Sequence, residues 1–315
     1  MKFLWISISI IAAVAFAVLL IAYVCYRMVF YSPKRKDDTF NIPEGEIYEV
    51  FRAPMEAWAK EVQAMPHEKF SITSYDGLIL QGKFYEFAPN APIELMFHGY
   101  RGSAERDLCG GVQRCFALGR SALIVDQRCH GKSEGSVITF GIKEHIDCLS
   151  WVDFMIHHFD QDVKIILTGI SMGASTVLMA GGKPLPKNVI GILADCGYCA
   201  PGDIIKKVIR QMGLPVNLSY SFVKLGAKLY GHFDLEESSP VEMVKNCTVP
   251  VIFFHGESDD LVPWEMSKTN YDACPGKKQL VTIPNAGHGL SYLVDPETYL
   301  KTLKDFFGPE ASAKQ

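Results

Sequence analysis

Apolar and polar positions divide the chain into three parts. Residues 3–26 form an uninterrupted apolar run, FLWISISIIAAVAFAVLLIAYVCY, without a formal charge. Residues 37–66 are richer in charged residues and are predicted to form a linker with one short helix near Met55–Met65. From residue 67 onward, short apolar runs alternate with helix-length segments. We therefore predict three parts, at 1–36, 37–66 and 67–315.

The third part predicts an α/β fold. Asp76-Gly77 separates two strand-like runs, which indicates a hairpin. Further β-type runs lie at Ile93–Phe97, Ala122–Val125, Val163–Thr168, Val189–Ala194, Val249–Phe254 and Gln279–Ile283. Predicted helices lie at Ala104–Leu118, Lys143–His158, Ser171–Ala180, Pro263–Ala273 and Pro296–Phe307. Because apolar strands that alternate with helices are covered on both faces, we predict a mostly parallel sheet between two helical layers.

One interval between predicted strands is unusually long. Residues 198–246 contain two apolar stripes at helical spacing and no convincing strand. The stripes consist of Ile204, Ile205, Val208, Ile209 and Met212, and of Phe222, Leu225 and Leu229. Ordinary packing accounts for some of these residues. Insertions at the C-terminal ends of parallel strands also form substrate-covering caps, so we predict a helical cap over about 198–246.

The N-terminal run predicts a membrane anchor. As a helix rising about 1.5 Å per residue it spans about 36 Å, more than the hydrocarbon core of about 30 Å. A cleaved signal peptide has an apolar region of only about 7–15 residues that ends at small residues. Here bulky Tyr23, Tyr26 and Phe30 occupy the exit of the run. We therefore predict a single-pass helix that stays in the mature protein.

Charge and cysteine use favour a cytoplasmic domain. Four basic residues follow the anchor, namely Arg27, Lys34, Arg35 and Lys36, whereas Lys2 precedes it. The more positively charged flank of a membrane helix usually lies on the cytoplasmic side. The cysteines show no disulfide framework, and Cys196-x-x-Cys199 has no second pair or clustered histidine, so we interpret it as incidental.

The 48% apolar content suffices for a core, and the net charge of -4 forms no basic stripe for nucleic acid. We expect a small-molecule partner.

The most informative motif is Gly169-Ile170-Ser171-Met172-Gly173. It follows a predicted strand and precedes a predicted helix, the context of a nucleophile elbow. A serine hydroxyl needs a base, and the base needs an orienting acid. Carboxylates at 257–260 follow one later strand, and His288 follows the next. The chain order serine, acid, histidine is the order of α/β hydrolases and differs from that of other serine-triad folds.

Residues 70–307 resemble the α/β-hydrolase superfamily, especially capped bacterial esterase- and lipase-like members. Four patterns carry the resemblance: His98-Gly99 after a strand, Asp126-x-Arg128 with His130-Gly131-x-Ser133, the elbow, and His255-Gly256-x-x-Asp259-x-x-Val262-Pro263. The resemblance implies Asp259 as the acid, with Asp260 as the alternative. It implies structural roles for Asp126 and Arg128 and no chemical role for His130.

The mechanism and the resemblance together predict an oxyanion hole. One backbone amide comes from Met172, directly after the nucleophile. Similar enzymes take the other from the residue after His-Gly, which is Tyr100 here. The chain lacks the three-glycine version of this loop, which leaves Arg101 as an alternative.

We therefore predict hydrolysis of carboxylic esters or related acyl bonds, with Ser171, Asp259 and His288 as the catalytic triad. The motifs imply no metal and no organic cofactor. A peptidase, a thioesterase and an acyltransferase share these motifs, and a membrane-anchored binding protein with an unused triad is the alternative from another class. The cap and the anchor together suggest a lipophilic substrate with a medium or longer acyl chain.

Overall fold

The computed structural model describes residues 1–33 and 45–308. The strands in these ranges are β1 (Glu68–Thr73), β2 (Ile79–Tyr85), β3 (Ile93–Phe97), β4 (Ser121–Asp126), β5 (Ile165–Ile170), β6 (Val189–Asp195), β7 (Val251–Gly256) and β8 (Lys278–Ile283). The helices are α1 (Lys2–Val29), α2 (Glu46–Glu49), α3 (Arg52–Ala64), α4 (Ala104–Ala117), α5 (Glu144–His158), α6 (Met172–Gly181), α7 (Pro201–Gln211), α8 (Val216–Tyr230), α9 (Pro240–Met243), α10 (Trp264–Ala273), α11 (Ser291–Val294) and α12 (Pro296–Phe307). The basic residues at 34–36 and the start of the predicted linker lie outside the described residues.

The strands form one sheet in the order β1-β2-β4-β3-β5-β6-β7-β8. β1 and β2 form the predicted hairpin, and β2 also pairs antiparallel with β4. Every pair from β4 to β8 is parallel. The mostly parallel sheet predicted from the sequence is therefore confirmed.

Helices cover both faces of the sheet. Successive strand residues point to opposite faces, so each strand packs on both helical layers. Leu95 of β3 belongs to a buried cluster that includes Trp151 of α5. The next residue, Met96, belongs to a different cluster, with Leu108 of α4. Both faces are buried, which explains why apolar residues of the central strands are not confined to every second position.

The predicted helical insertion lies between β6 and β7 and contains α7, α8, α9 and a 3-10 helix at Val244–Asn246. Ile205 and Ile209 of α7 are buried in a cluster that also contains Tyr26 at the end of α1. α8 packs closely against α1, since a Cβ added to Gly226 would lie 2.4 Å from the carbonyl oxygen of Ala22. The insertion is therefore packed on the N-terminal helix.

The two halves of α1 have different surroundings. In the described part of the chain, α1 is the one helix long and apolar enough to cross a membrane, with 28 residues and a mean hydropathy of 2.8. Its first half is exposed, and Phe16 for example is 69% exposed. Ala22, Tyr26 and the following Phe30 are buried. The last turns of α1 are thus part of the packed interior.

Candidate active site

Ser171 lies in a strained turn between β5 and α6. Its backbone has φ 56° and ψ -118°, a conformation that non-glycine residues rarely adopt. A Cβ added to Gly169 would lie 2.1 Å from the main chain of Gly173, and one added to Gly173 would lie 2.0 Å from the carbonyl oxygen of Phe97. Only glycine fits these two positions, which explains the spacing of the motif in physical terms.

The structure brings Ser171, His288 and Asp259 together from three loops at the C-terminal edge of the sheet. His288 Nε2 lies 2.8 Å from Ser171 Oγ, and His288 Nδ1 lies 2.7 Å from Asp259 Oδ2. In a neutral imidazole, the Nδ1–H group donates to the carboxylate and Nε2 accepts the serine proton. The arrangement can therefore make Ser171 a nucleophile.

The carboxylate of Asp259 is buried, and both of its oxygens accept hydrogen bonds. Oδ1 accepts from the amides of Leu261 at 2.9 Å and Val262 at 2.8 Å. Oδ2 accepts from His288 and also from His255 Nε2, which lies 3.1 Å away. Burial acts to raise the pKa of Asp259, but the hydrogen bonds from His255 and His288 outweigh it and hold the pKa below its usual range. Asp259 is therefore ionised at neutral pH.

The alternative acid, Asp260, has different contacts. Its side chain is exposed, and the two ring nitrogens of His288 form hydrogen bonds with Ser171 and Asp259. The main-chain carbonyl of Asp260 accepts hydrogen bonds from Lys207 and from Gln211 of α7. The geometry thus selects Asp259 over Asp260 as the partner of the histidine.

His255 is a site residue to which the sequence analysis gave no role. It is fully buried at the end of β7, where Nδ1 accepts from the Ser267 hydroxyl at 2.7 Å. Its Nε2–H group lies between Asp259 Oδ2 and the carbonyl oxygen of Val262, which is 2.8 Å away. The signal was present in the sequence, because a histidine directly precedes the acid loop. Its partners depend on how that loop folds back.

Two buried histidines shape the loop after β3. His98 Nδ1–H donates to the Gly99 carbonyl at 2.8 Å, and Nε2 accepts from the Gln127 amide at 3.1 Å. His130 Nε2 accepts from the Arg101 amide at 3.1 Å. Burial lowers the pKa of both rings, that of His130 to about 3, where the neighbouring His98 contributes as well. Both are neutral at physiological pH and act as structural supports.

These hydrogen bonds show which of the candidate backbone amides can donate to a substrate oxyanion. The Arg101 amide is occupied by His130, so it is not available to a substrate. Within residues 1–33 and 45–308, the amides of Tyr100 and Met172 donate to no other main-chain or side-chain acceptor. Gly99 lies against Ser171, since a Cβ added there would be 3.5 Å from the Ser171 Cβ. The two donors predicted from the sequence are therefore free near the serine.

A cavity of about 270 Å³ opens at Ser171. Its apolar lining includes Met55, Trp58, Ile170, Leu261, Tyr292 and Leu293, and Arg106 and Asp107 form a polar part. The Trp58 ring stacks on Tyr292 with 5.6 Å between centroids. Tyr48 also lines the cavity, and its hydroxyl donates to the His288 carbonyl at 3.0 Å. The helices α2 and α3 thus form one wall.

The helical cap predicted over about 198–246 does not contribute to this cavity and stays a prediction. The lining of the cavity, within the described parts of the chain, includes no residue of the insertion. Of the first predicted stripe, Ile204, Ile205 and Ile209 are buried in a cluster with Met172 and Phe140, whereas Val208 and Met212 are exposed. The second predicted stripe is wrong, because α8 buries Tyr220, Val223 and Ala227 instead of Phe222, Leu225 and Leu229. The physical reason is that α7 and α8 pack on the apolar surface at the end of α1.

One group of side chains has the composition of a metal site. Ligand atoms of Cys196, Asp259 and His288 lie within 4.8 Å of one another. The Asp259 and His288 atoms are hydrogen-bonded to each other, and burial raises the pKa of the Cys196 thiol well above its usual value. A protonated thiol is a poor ligand, so the serine-activating hydrogen bonds account for this grouping better than a metal does.

Comparison with known proteins gives curated relatives of similar length. The chain is 27% identical over 300 residues to the uncharacterised protein YqkD of Bacillus subtilis, covering 94% of this chain and 95% of YqkD. It is 25% identical to protein bem46 of Schizosaccharomyces pombe, covering 78% and 76% of the two chains. No protein-family model matches the chain.

Solved structures with a similar fold include several esterases. The esterase Pf2001 of Pyrococcus furiosus superposes with a TM-score of 0.62 at 25% identity, covering 78% of this chain and 93% of the esterase. Est1E of Butyrivibrio proteoclasticus, solved with ferulic acid, gives a TM-score of 0.58 at 21% identity and covers 75% and 97% of the two chains.

The sheet order, the strained elbow and these neighbours define one class of protein. The chain belongs to the α/β-hydrolase superfamily. The esterases among its structural neighbours support hydrolase activity of the kind this superfamily performs.

Proposed function

We propose that the protein is a serine hydrolase that cleaves carboxylic esters or related acyl bonds. The hydrogen-bonded chain from Ser171 through His288 to Asp259 carries this proposal. Ser171 Oγ attacks the substrate carbonyl while its proton moves to His288 Nε2, and Asp259 stabilises the resulting imidazolium. His288 then gives the proton to the leaving alcohol, and a water molecule hydrolyses the acyl-Ser171 intermediate by the same route.

The amides of Tyr100 and Met172 are the proposed oxyanion donors. Charge develops on the carbonyl oxygen in the transition state, and each preorganised donor lowers the barrier by about 3–4 kcal/mol. Met172 begins α6, so the positive end of the helix dipole points to the same place. No metal or organic cofactor is needed for any of these steps.

Esters are favoured over other acyl substrates because esterases are among the structural neighbours. Peptidases, thioesterases and acyltransferases use the same machinery. The cavity beside Ser171 is mostly apolar and is lined by four aromatic side chains, those of Tyr48, Trp58, Tyr100 and Tyr292, which favours a lipophilic acyl group as partner. Its volume of about 270 Å³ supports a medium acyl chain, at the lower end of the medium or longer range predicted from the sequence.

We also propose that α1 remains in the protein as a membrane anchor with the catalytic domain in the cytoplasm. Cleavage after the apolar run would remove Ala22 and Tyr26 from the interior and expose the surfaces that they cover. Such packing is typical of a retained segment. The orientation is supported by the basic residues that follow the run.

A fluorophosphonate probe and a series of p-nitrophenyl esters test the chemistry on the full chain in detergent. We expect the probe to label the wild type and to leave Ser171→Ala unlabelled, with ester hydrolysis lost in the same variant. A folded wild-type protein that neither reacts with the probe nor hydrolyses any ester would overturn the proposal in favour of a binding protein. Carbonate extraction of membranes tests the anchor, which should stay in the pellet.

A further inference from the structure

The loop that carries the proposed oxyanion donor contacts the last turn of α1. Tyr100 Oη donates to the Val29 carbonyl oxygen at 2.6 Å. Arg101 Nη2 donates to the Met28 carbonyl at 2.7 Å and to the Tyr31 carbonyl at 3.3 Å. The last carbonyls of a helix have no partner within the helix and carry partial negative charge. The Tyr100 hydroxyl and the Arg101 guanidinium supply the missing hydrogen bonds, and the guanidinium also places a positive charge beside these carbonyls.

The end of α1 is itself held firmly in the domain. Phe30 is fully buried, and its ring packs edge-on against Phe140 and Phe233, with centroids 5.9 Å and 5.2 Å apart. Its carbonyl accepts from the Ile138 amide at 2.8 Å. The amide of Ser32 donates to the Ser136 carbonyl at 2.9 Å. The last turn of α1 can therefore serve as a rigid support.

The oxyanion loop needs support on two sides. Arg101 has φ 53°, a left-handed conformation that costs energy in a non-glycine residue and persists only when its surroundings enforce it. On one side His130 accepts from the Arg101 amide. On the other side, the hydrogen bonds to α1 hold the side chains of Tyr100 and Arg101. The free amide of Tyr100 belongs to the loop that these two sets of contacts hold.

We infer that the side chains of Tyr100 and Arg101 are positioning residues that use the end of α1 to hold the Tyr100 amide in the oxyanion hole. The N-terminal helix is then a structural part of the catalytic machinery as well as an anchor. This inference rests on the proposed serine hydrolase function. Because the amide stabilises charge that exists only in the transition state, loss of the support lowers kcat and leaves KM nearly unchanged.

The test compares matched Tyr→Phe variants of the full chain in detergent micelles with p-nitrophenyl butyrate as substrate. Tyr100→Phe removes the hydrogen bond to Val29 and keeps the backbone amide. Tyr230→Phe is the control, because Tyr230 Oη also donates to an α1 carbonyl, that of Leu19 at 3.1 Å, but far along the helix from the loop. Arg101→Met removes the second attachment, and Arg101→Lys restores one donor.

We expect Tyr100→Phe and Arg101→Met each to lower kcat about 3- to 10-fold, the size of one lost hydrogen bond, with KM within about twofold. Arg101→Lys should recover part of the Arg101→Met loss, and Tyr230→Phe should match the wild type. If Arg101→Met lowers the thermal midpoint of unfolding, its loss of activity has a second explanation. The kcat of Tyr100→Phe is then the measurement that tests the inference.

Unchanged kcat in Tyr100→Phe, an equal loss in Tyr230→Phe, or a rise in KM at constant kcat would each overturn the inference. An inactive, unlabelled wild type would instead overturn the proposed function, so the two failures are distinguishable.

Discussion

Two helical regions flank the edge of the sheet that carries Ser171, and their contacts differ. The first, α2 and α3, precedes β1 and places Tyr48, Met55 and Trp58 in the lining of the cavity. The second, the insertion between β6 and β7, is longer and carries the two stripes predicted from the sequence, yet its buried residues pack against α1. An apolar stripe therefore does not show which surface a helix packs on, and in α8 it does not mark the buried face.

Helix α7 of the insertion contacts the loop that carries the acid. Lys207 of α7 donates to the main-chain carbonyls of Asp260 and Leu261, the latter at 3.0 Å. Leu261 in turn lines the cavity. By contrast, Trp58 lines the cavity directly and stacks on Tyr292. We therefore expect substitutions in α3 to change substrate choice and substitutions in the insertion to change stability.

The largest effect is expected in the acid loop, which both regions approach. Asp259→Asn should lower kcat about 10⁴-fold, because an amide no longer holds His288 in the productive tautomer. Asp260→Asn is the matched control and should stay near the wild type, since only its main-chain carbonyl has contacts to α7. Steady-state hydrolysis of p-nitrophenyl butyrate measures both. The reverse ranking would show that Asp260 is the acid.

The next effect concerns the surface that the insertion covers. Phe30→Ala removes a fully buried ring between Phe140 and Phe233, so it should lower the free energy of unfolding by about 3–5 kcal/mol. Phe16→Ala, in the exposed half of α1, should have no such effect in detergent. Denaturant unfolding monitored by tryptophan fluorescence measures the difference. Equal stability of the two variants would mean that α1 is a detachable anchor.

Acyl-chain selectivity distinguishes the two regions more directly. Trp58→Ala enlarges the cavity, so it should raise the ratio of kcat/KM for octanoate to that for acetate about tenfold, the scale of a methylene discrimination. Phe222→Ala in α8 should leave the ratio unchanged, because Phe222 does not line the cavity.

Gly110→Ala provides a change in the opposite direction. A Cβ at residue 110 would lie 3.0 Å from the Trp58 ring. We expect it to push this ring toward the cavity and to lower the ratio of kcat/KM for octanoate to that for acetate. If Phe222→Ala changed the ratio and Trp58→Ala did not, the insertion would be the wall of the acyl pocket after all.

The sheet could be predicted from the sequence because the signals are local. Buried strands and the helices between them differ in period and length, and parallel strands bring their C-terminal ends to one edge. Ser171, Asp259 and His288 each follow a strand, so their meeting follows from topology. The close approach of Gly173 to Phe97 explains why the elbow motif was informative.

The remaining features depend on contacts between distant segments, which local patterns do not encode. Trp58 lies on α3 near the charged residues Glu56 and Lys60, and nothing in its neighbourhood indicates that it stacks on Tyr292. Phe30 follows an apolar run that is explained equally well by burial in lipid. His255 precedes the acid loop, but its hydrogen bond to Asp259 depends on how the loop folds back. In each case the partner is far away in sequence or set by a loop.

The smallest effect is expected at Tyr48, where α2 supports the catalytic base. Its hydroxyl donates to the His288 carbonyl at 3.0 Å, so Tyr48→Phe should lower kcat about 2- to 5-fold, within the range of one hydrogen bond. The matched variant in the insertion, Tyr220→Phe, removes a hydrogen bond to Glu236 at 3.1 Å and should leave kcat unchanged.

The pH dependence tests the same hydrogen bond. Burial raises the pKa of Tyr48. Its hydroxyl therefore stays protonated and remains a donor near pH 10, where an unperturbed tyrosine ionises. The ratio of wild-type to Tyr48→Phe activity should therefore stay constant from neutral pH to about pH 10. A ratio that falls to unity in that range would show that Tyr48 ionises there and that the hydrogen bond to the base loop is lost.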